Sequence, residues 1–155
     1  MSATVLRGVF GPMLGPTVNA TMGWVANMTK GPKDGKANND SMSFVDVRDC
    51  AAMHIAGFEK PEAAGRYMCI SGTATERKTE GGAVVYASTH WNDIYAIIKE
   101  LHPAMPAFEP CAGPLLTPTS FDLTKSNTLL HVDAMRDVKT ILKEAVADLK
   151  LKGAL

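Results

Sequence analysis

The sequence of 155 residues is poor in aromatic side chains (6%) and in cysteine (three), and it carries no net charge, because sixteen basic residues balance sixteen acidic ones. A chain without basic excess gives no reason to expect a nucleic-acid partner, whose phosphates select a positive surface. No apolar run reaches the roughly 18 residues needed to cross a bilayer, so no membrane partner is expected. The opening MSATVLRGVF has no basic stretch followed by an apolar one, so no secretory leader is expected and the location reads as cytoplasmic. Cys50, Cys69 and Cys111 are odd in number, widely spaced and without Cys-x-x-Cys. They indicate neither a zinc site nor a disulfide framework, and read as reduced thiols, with Cys50 and Cys69 in the core. The histidines His54, His90, His102 and His131 show no metal-ligand spacing, so no metal residue is assigned. Gly-x-Ser-x-Gly and the Walker loop are also missing.

What is present is an ordinary globular composition, 46% hydrophobic and 21% charged, of a size for one domain or a large piece of one. Val5 to Phe10 reads as a buried strand ending at Gly11-Pro12, and residues 17–28 read as a helix. GPKDGKANND, residues 31–40, is an exposed loop. Ser43 to Val45 predicts a short strand. Asp46 then caps a helix starting at Val47, Asp49 takes the capping-box position, and Ala52, Ile55 and Ala56 form the apolar stripe. Asp46, Arg48 and Asp49 read as capping residues with a local ion pair. Arg66 to Ser71 predicts a further strand. Residues 72–88 form a long excursion in which Ala83 to Tyr86 is an edge strand. Thr89 caps a helix carrying Ile94, Ile97, Ile98 and Leu101, which Pro103 stops. Five prolines between Pro103 and Pro118 forbid regular helix, so that segment wraps a surface. Val132 to Lys152 predicts a long amphipathic helix with Met135, Val138, Leu142, Ala145 and Leu149 on one face and Gly153 at the cap. Strands alternating with helices indicate an α/β fold.

Two patterns come close to active-site motifs. Gly8, Gly11 and Gly15 follow a strand, as a dinucleotide-binding turn would. The last glycine is displaced by one, however, with Leu14 in its place, and Pro12 removes an amide from the turn. Tyr95 and Lys99 lie four apart on one helical face, where an ammonium could lower the phenol's pKa and make it a proton donor. The apolar residues beside them give the plainer reading: Tyr95 and Lys99 flank a buried stripe.

Three segments carry a resemblance: LRGVFGPMLGPTVNA, SMSFVDVRDCAAMHIAGFEKPEAAGRYMCIS and FDLTKSNTLLHVDAMRDVKTILKEAVADLKLKGAL. Together they resemble the C-terminal half of extended short-chain dehydrogenases/reductases, in the dihydroflavonol reductase and cinnamoyl-CoA reductase branch of the NAD-dependent epimerase/dehydratase-like proteins. Phe44 to Ala51 is the most specific piece. The resemblance implies the late sheet strands of a Rossmann fold with a small substrate-binding lobe, and a nucleotide-binding half outside this chain. Residues 1–30 would be a late strand and its helix, 41–71 a short strand, helix and last sheet strand, and 72–155 the substrate-lobe excursion, helix, proline-rich wrap and C-terminal helix.

The resemblance implies NAD or NADP as cofactor and hydride transfer between it and a small carbonyl or alcohol. Val9, Phe10 and Thr17 would border the cofactor, and Met13 and Asn19 the substrate, with no catalytic residue on this chain. With the phosphate loop and catalytic Tyr-Lys outside it, the chain alone is expected to bind dinucleotide weakly and to be inactive. The alternatives are an interaction or regulatory module pairing with a reductase, a Rossmann half or another copy of itself, and an incomplete gene model.

Overall fold

Two short parallel strand pairs form the frame of the site. The computed structural model describes residues 2–5, 8–71, 73–78, 83–130 and 135–155. Strand β1 (Ser2–Val5) pairs with β5 (Gly65–Met68), and β2 (Gly8–Phe10) pairs with β4 (Phe44–Asp46), both in parallel. The expected single strand over Val5 to Phe10 is therefore two strands with different partners. Residues 6 and 7, between them, lie outside the described residues. Parallel partners need a crossover between them. Helix α1 (Ala20–Met28) lies between β2 and β4 in the chain, and helix α2 (Val47–Glu59) between β4 and β5.

Helix α1 starts at Ala20 because Asn19 caps it: the Asn19 Oδ1 accepts from the Met22 amide at 2.9 Å. The expected start at residue 17 is thus three residues early. Beyond α1 the loop leads to β3 (Ser41–Met42), which pairs antiparallel with β8 (Thr89–His90). The excursion holds β6 (Thr73–Lys78) and β7 (Val84–Ala87), and β9 (Ser120–Asp122) joins them in the order β6-β7-β9. β7 is central in this sheet, not the edge strand expected. Residues 72 and 79–82 of the excursion lie outside the described residues.

Helix α3 (Trp91–Leu101) is capped by His90, whose Nδ1 accepts from the Asn92 amide at 3.1 Å. Thr89, the expected cap, is in β8. Helix α4 (Val138–Leu151) begins behind Asp137, which accepts from the Thr140 amide at 2.7 Å. Met135, placed in the helix by its periodicity, precedes it, and 132–134 lie outside the described residues. Asp and Asn oxygens at these caps satisfy amides that have no partner within the helix.

The core forms where α1, α3 and α4 meet. Ile94 and Ile98 of α3 meet Ile141, Leu142, Ala145 and Leu149 of α4, with Val25 and Met22 of α1 and Phe10 of β2. Each of these side chains is at most 1% exposed. A smaller cluster of Val45, Met53, Tyr67, Cys69 and Leu129 lies under α2. Here the expected stripe is rotated: Met53 is buried, whereas Ile55 is 56% exposed. Cys69 is fully buried and Cys50 partly so. Burial of Cys69, with the charges of Cys50 and Asp49 nearby, pushes its pKa up to about 12, so it stays a thiol.

The proline-containing segment runs along the loop after α1. The Ala37 amide donates to the Glu109 carbonyl and the Glu109 amide to the Gly35 carbonyl, at 2.9 and 2.7 Å. The Asn92 side chain holds Cys111 through both its amide and its carbonyl. These bonds replace the ladder that proline cannot enter.

Truncating Leu142 tests which cluster dominates stability. Leu142→Ala opens a void among three helices and is expected to cost about 3 kcal/mol, read as a lower urea midpoint with an unchanged slope. Ile55→Ala, on the exposed face of α2, should change the midpoint by less than about 0.5 kcal/mol equivalent.

Candidate functional site

A cleft of about 350 Å³ opens at the carboxyl end of β2. Val9, Phe10 and the loop Gly11 to Leu14 form one side, Asn19, Thr21 and Met22 of the α1 start another, and Val47 of α2 a third. In α/β sheets such strand ends are where ligands bind.

The loop must turn sharply to leave β2. Gly11 sits at φ +137°, buried, and a side chain there would place its first carbon 3.0 Å from Val47 Cγ1. Only glycine meets both conditions. The far end of α4 then fixes the loop. The Met13 amide donates to Asp148 Oδ2 at 3.0 Å, and Lys152 Nζ donates to the carbonyls of Met13 and Gly15 at 3.0 and 2.9 Å. Asp148 and Lys152 also face each other at 3.6 Å. Sequence reading missed this pair; spacing of four on one helix was the available signal, but nothing local pointed to a loop some 135 residues away.

Of the expected site residues, Val9, Phe10, Met13 and Asn19 are brought together around this cleft. Phe10 is only 1% exposed, its ring packed on Phe44 at 5.0 Å between centroids, so it supports the cleft from the core. Asn19 holds the start of α1, with its oxygen taken by the Met22 amide and the Thr21 hydroxyl. Thr17 is exposed on the loop and does not line the cleft.

Asp46 lies at the end of β4, beside the Gly11 turn, and is fully buried. Burial alone would raise its pKa. The Arg48 guanidinium and backbone amide, each 2.8 Å from the carboxylate, together with the Arg48 and Arg136 charges, outweigh burial and hold it below the usual carboxylate range. Arg48 continues to Glu144 on α4. The expected cap and local ion pair are both present. Asp49 differs from expectation: it accepts from the Arg136 amide at 2.8 Å and pairs with its guanidinium at 2.5 Å, so it ties α2 to the segment before α4.

Neither near-motif forms a site. Tyr95 is 9% exposed, its ring 5.5 Å from Trp91 and 5.4 Å from Phe108, and burial raises its pKa, the opposite of what a proton donor at neutral pH needs. Lys99 donates instead to the carbonyls of Pro103 and Met105 just past α3. Gly8 lies in a strand, Gly11 in the buried turn and Gly15 on open surface. Among the described residues no group of three His, Cys, Asp or Glu side chains could hold a metal ion.

Sequence relatives are found among plant reductases. The chain is 33% identical over 159 aligned positions to cinnamoyl-CoA reductase 1 of Oryza sativa subsp. japonica, covering all of this chain and 41% of that protein. Its sequence relatives are cinnamoyl-CoA reductases, matched over their C-terminal part. Tetraketide alpha-pyrone reductase 2 of Arabidopsis thaliana is 26% identical over 95% of the chain and 41% of its own length. The chain thus spans about 40% of the length of these reductases. No family model matches it.

Solved reductases share the fold at low identity. Yeast methylglyoxal/isovaleraldehyde reductase Gre2 in complex with NADPH superposes with TM-score 0.63, at 20% identity, over 99% of this chain and 44% of its own. Vestitone reductase from alfalfa gives 0.66, at 17%, over 98% and 44%. WbmH of Bordetella bronchiseptica, solved in complex with NAD+, is a further fold neighbour, with TM-score 0.64 at 18% identity over 96% of this chain and 44% of its own. Among the described residues no helix is long and apolar enough to cross a membrane.

The buried Asp46–Arg48 pair predicts a pH signature. The folded pKa of Asp46 lies below its unfolded value of 3.8, so its stabilisation is complete above that value and is lost as pH falls through the folded one. Asp46→Asn keeps a capping oxygen but loses the pair, and is expected to cost about 2 kcal/mol at pH 7. The difference in unfolding free energy between the two proteins should hold constant from pH 7 down towards the unfolded value of 3.8 and narrow below it. A gap that does not narrow there would contradict this assignment.

Proposed function

We propose that this chain is the part of an NAD(P)-dependent carbonyl reductase, of the cinnamoyl-CoA reductase kind, that faces the nicotinamide and the substrate. The cleft at the carboxyl end of β2 carries this reading. Its walls include Val9, Met13 and Met22, apolar side chains suited to excluding water from a hydride donor and acceptor. When bound, the dinucleotide supplies or accepts the hydride. Val9 and Phe10, with Thr17 on the loop, lie on the cofactor side. Met13 and Asn19 lie on the substrate side. Residues 1–30 and 41–71 form the sheet portion, and 72–155 the substrate lobe. The catalytic acid comes from outside this chain.

The described residues provide little to hold a pyrophosphate. The amides at the start of α1 are partly taken by Asn19, and Pro12 donates none. The 155-residue chain is therefore expected to bind NADPH more weakly than about 1 mM and to reduce no cinnamoyl-CoA, in line with the small share of binding groups it supplies. Isothermal titration of the purified chain with NADPH checks this, and sub-millimolar affinity would overturn it.

The outer face of α2 favours a second reading, an association module. Phe58 is 91% exposed and Ile55 56%, both on one helix. Single exposed apolar residues are common, but two on one helical face present a surface that a reductase or a second copy could cover. Size-exclusion chromatography across a concentration series should show association that Phe58→Glu abolishes. A monomer at every concentration rejects this reading and leaves the first intact.

A further inference from the structure

Between α3 and β9 the chain has no helix or strand over residues 111–119. The Cys111 amide at its start is held by the Asn92 side chain, and Ser120 just past its end enters β9. Between these anchors residues 112–117 are all exposed. Leu115 and Leu116 are 50% and 59% exposed, so two apolar side chains stand in succession on open surface. Asn39 accepts from the Leu116 amide at 2.8 Å and donates to the Pro114 carbonyl at 3.2 Å. The Ser88 amide and hydroxyl donate to the Thr119 carbonyl at 2.9 and 3.2 Å. Thr117 lies between these two ties. Among the described residues neither its backbone nor its hydroxyl makes a hydrogen bond.

Thr117 is also the only serine or threonine in the sequence that a proline follows. The ring of Pro118 crowds the residue before it and keeps Thr117 out of the helical region, in extended backbone. It also removes the amide at the next position. An extended segment with a free, exposed hydroxyl is what a protein kinase holds in line with the γ-phosphate of ATP. The missing amide narrows the class of enzyme. A cleft built to accept a hydrogen bond from the residue after the hydroxyl would be left with an unpaired acceptor, whereas one with an apolar pocket there takes proline.

We propose that Thr117 is a phosphorylation site for a proline-directed serine/threonine kinase. The Thr117 Oγ1 forms a bond to the γ-phosphorus of ATP as the bond to the ADP oxygen breaks, and the hydroxyl proton passes to a carboxylate of the kinase. ADP leaves, and an uncharged stretch of surface gains up to about two negative charges. The assignment is independent of the reductase reading.

Incubation of the full chain with an active mitogen-activated protein kinase and Mg-ATP tests it, read by intact mass and by fragmentation. The expected product carries a single addition of about 80 Da, located on Thr117. Thr117→Ala, at an exposed position outside the core, should abolish it. Pro118→Ala should slow it at least about tenfold. The folded chain should react at a rate within about tenfold of a synthetic peptide of residues 111–123, because the segment is already extended and open to solvent. Four results would each overturn the proposal: no incorporation, incorporation that survives Thr117→Ala, a rate unchanged by Pro118→Ala, or reaction of the peptide without reaction of the folded chain.

Discussion

A single buried carboxylate links the parts of this molecule. Asp46 ends strand β4, caps helix α2, sits beside the glycine turn that leaves β2, and holds Arg48, which in turn reaches Glu144 on helix α4. Leaving such a charge unpaired would cost several kcal/mol, so strand, helix and arginine are constrained together. The cleft at the end of β2 is one consequence of that arrangement. Gly11 can turn there only because nothing larger than hydrogen stands between it and Asp46 and Val47.

The second support of the cleft comes from the opposite end of the chain. Asp148 and Lys152, on the last turns of α4, hold the loop after β2 through its backbone rather than through its side chains. Backbone recognition leaves Met13 and Leu14 free of that task, so the cleft wall can vary while the loop path stays fixed. The three-helix core then sets where α4 ends, which makes packing of Ile141, Leu142 and Leu149 a condition for the shape of the site.

The cleft at the carboxyl end of β2 lies where that strand meets the start of α1. A second cleft, lined by Trp24, Lys30, Trp91 and Tyr95 among others, opens elsewhere. Both lie beside α1, whose first turn serves one and whose last turn serves the other. Helix α1, nine residues long, thus borders a different cleft at each end.

The residues alone determined much of this. Alternating strand and helix patterns gave the α/β class, Asp46 announced the start of α2, and the segment Phe44 to Ala51 carried the family likeness, because caps and strand-to-helix turns are local chemistry. Tertiary contacts decided the rest. Periodicity placed Ile55 inside and Met135 in a helix, but α2 packs through Met53, and Asp137 offers the better cap for α4. Tyr95 and Lys99 had catalytic spacing, yet aromatic packing took the phenol and two carbonyls took the amine. Asp148 and Lys152 at one end of the chain and the loop at the other come together only on folding. Spacing along a sequence encodes which side chains share a face; it does not encode what that face will meet.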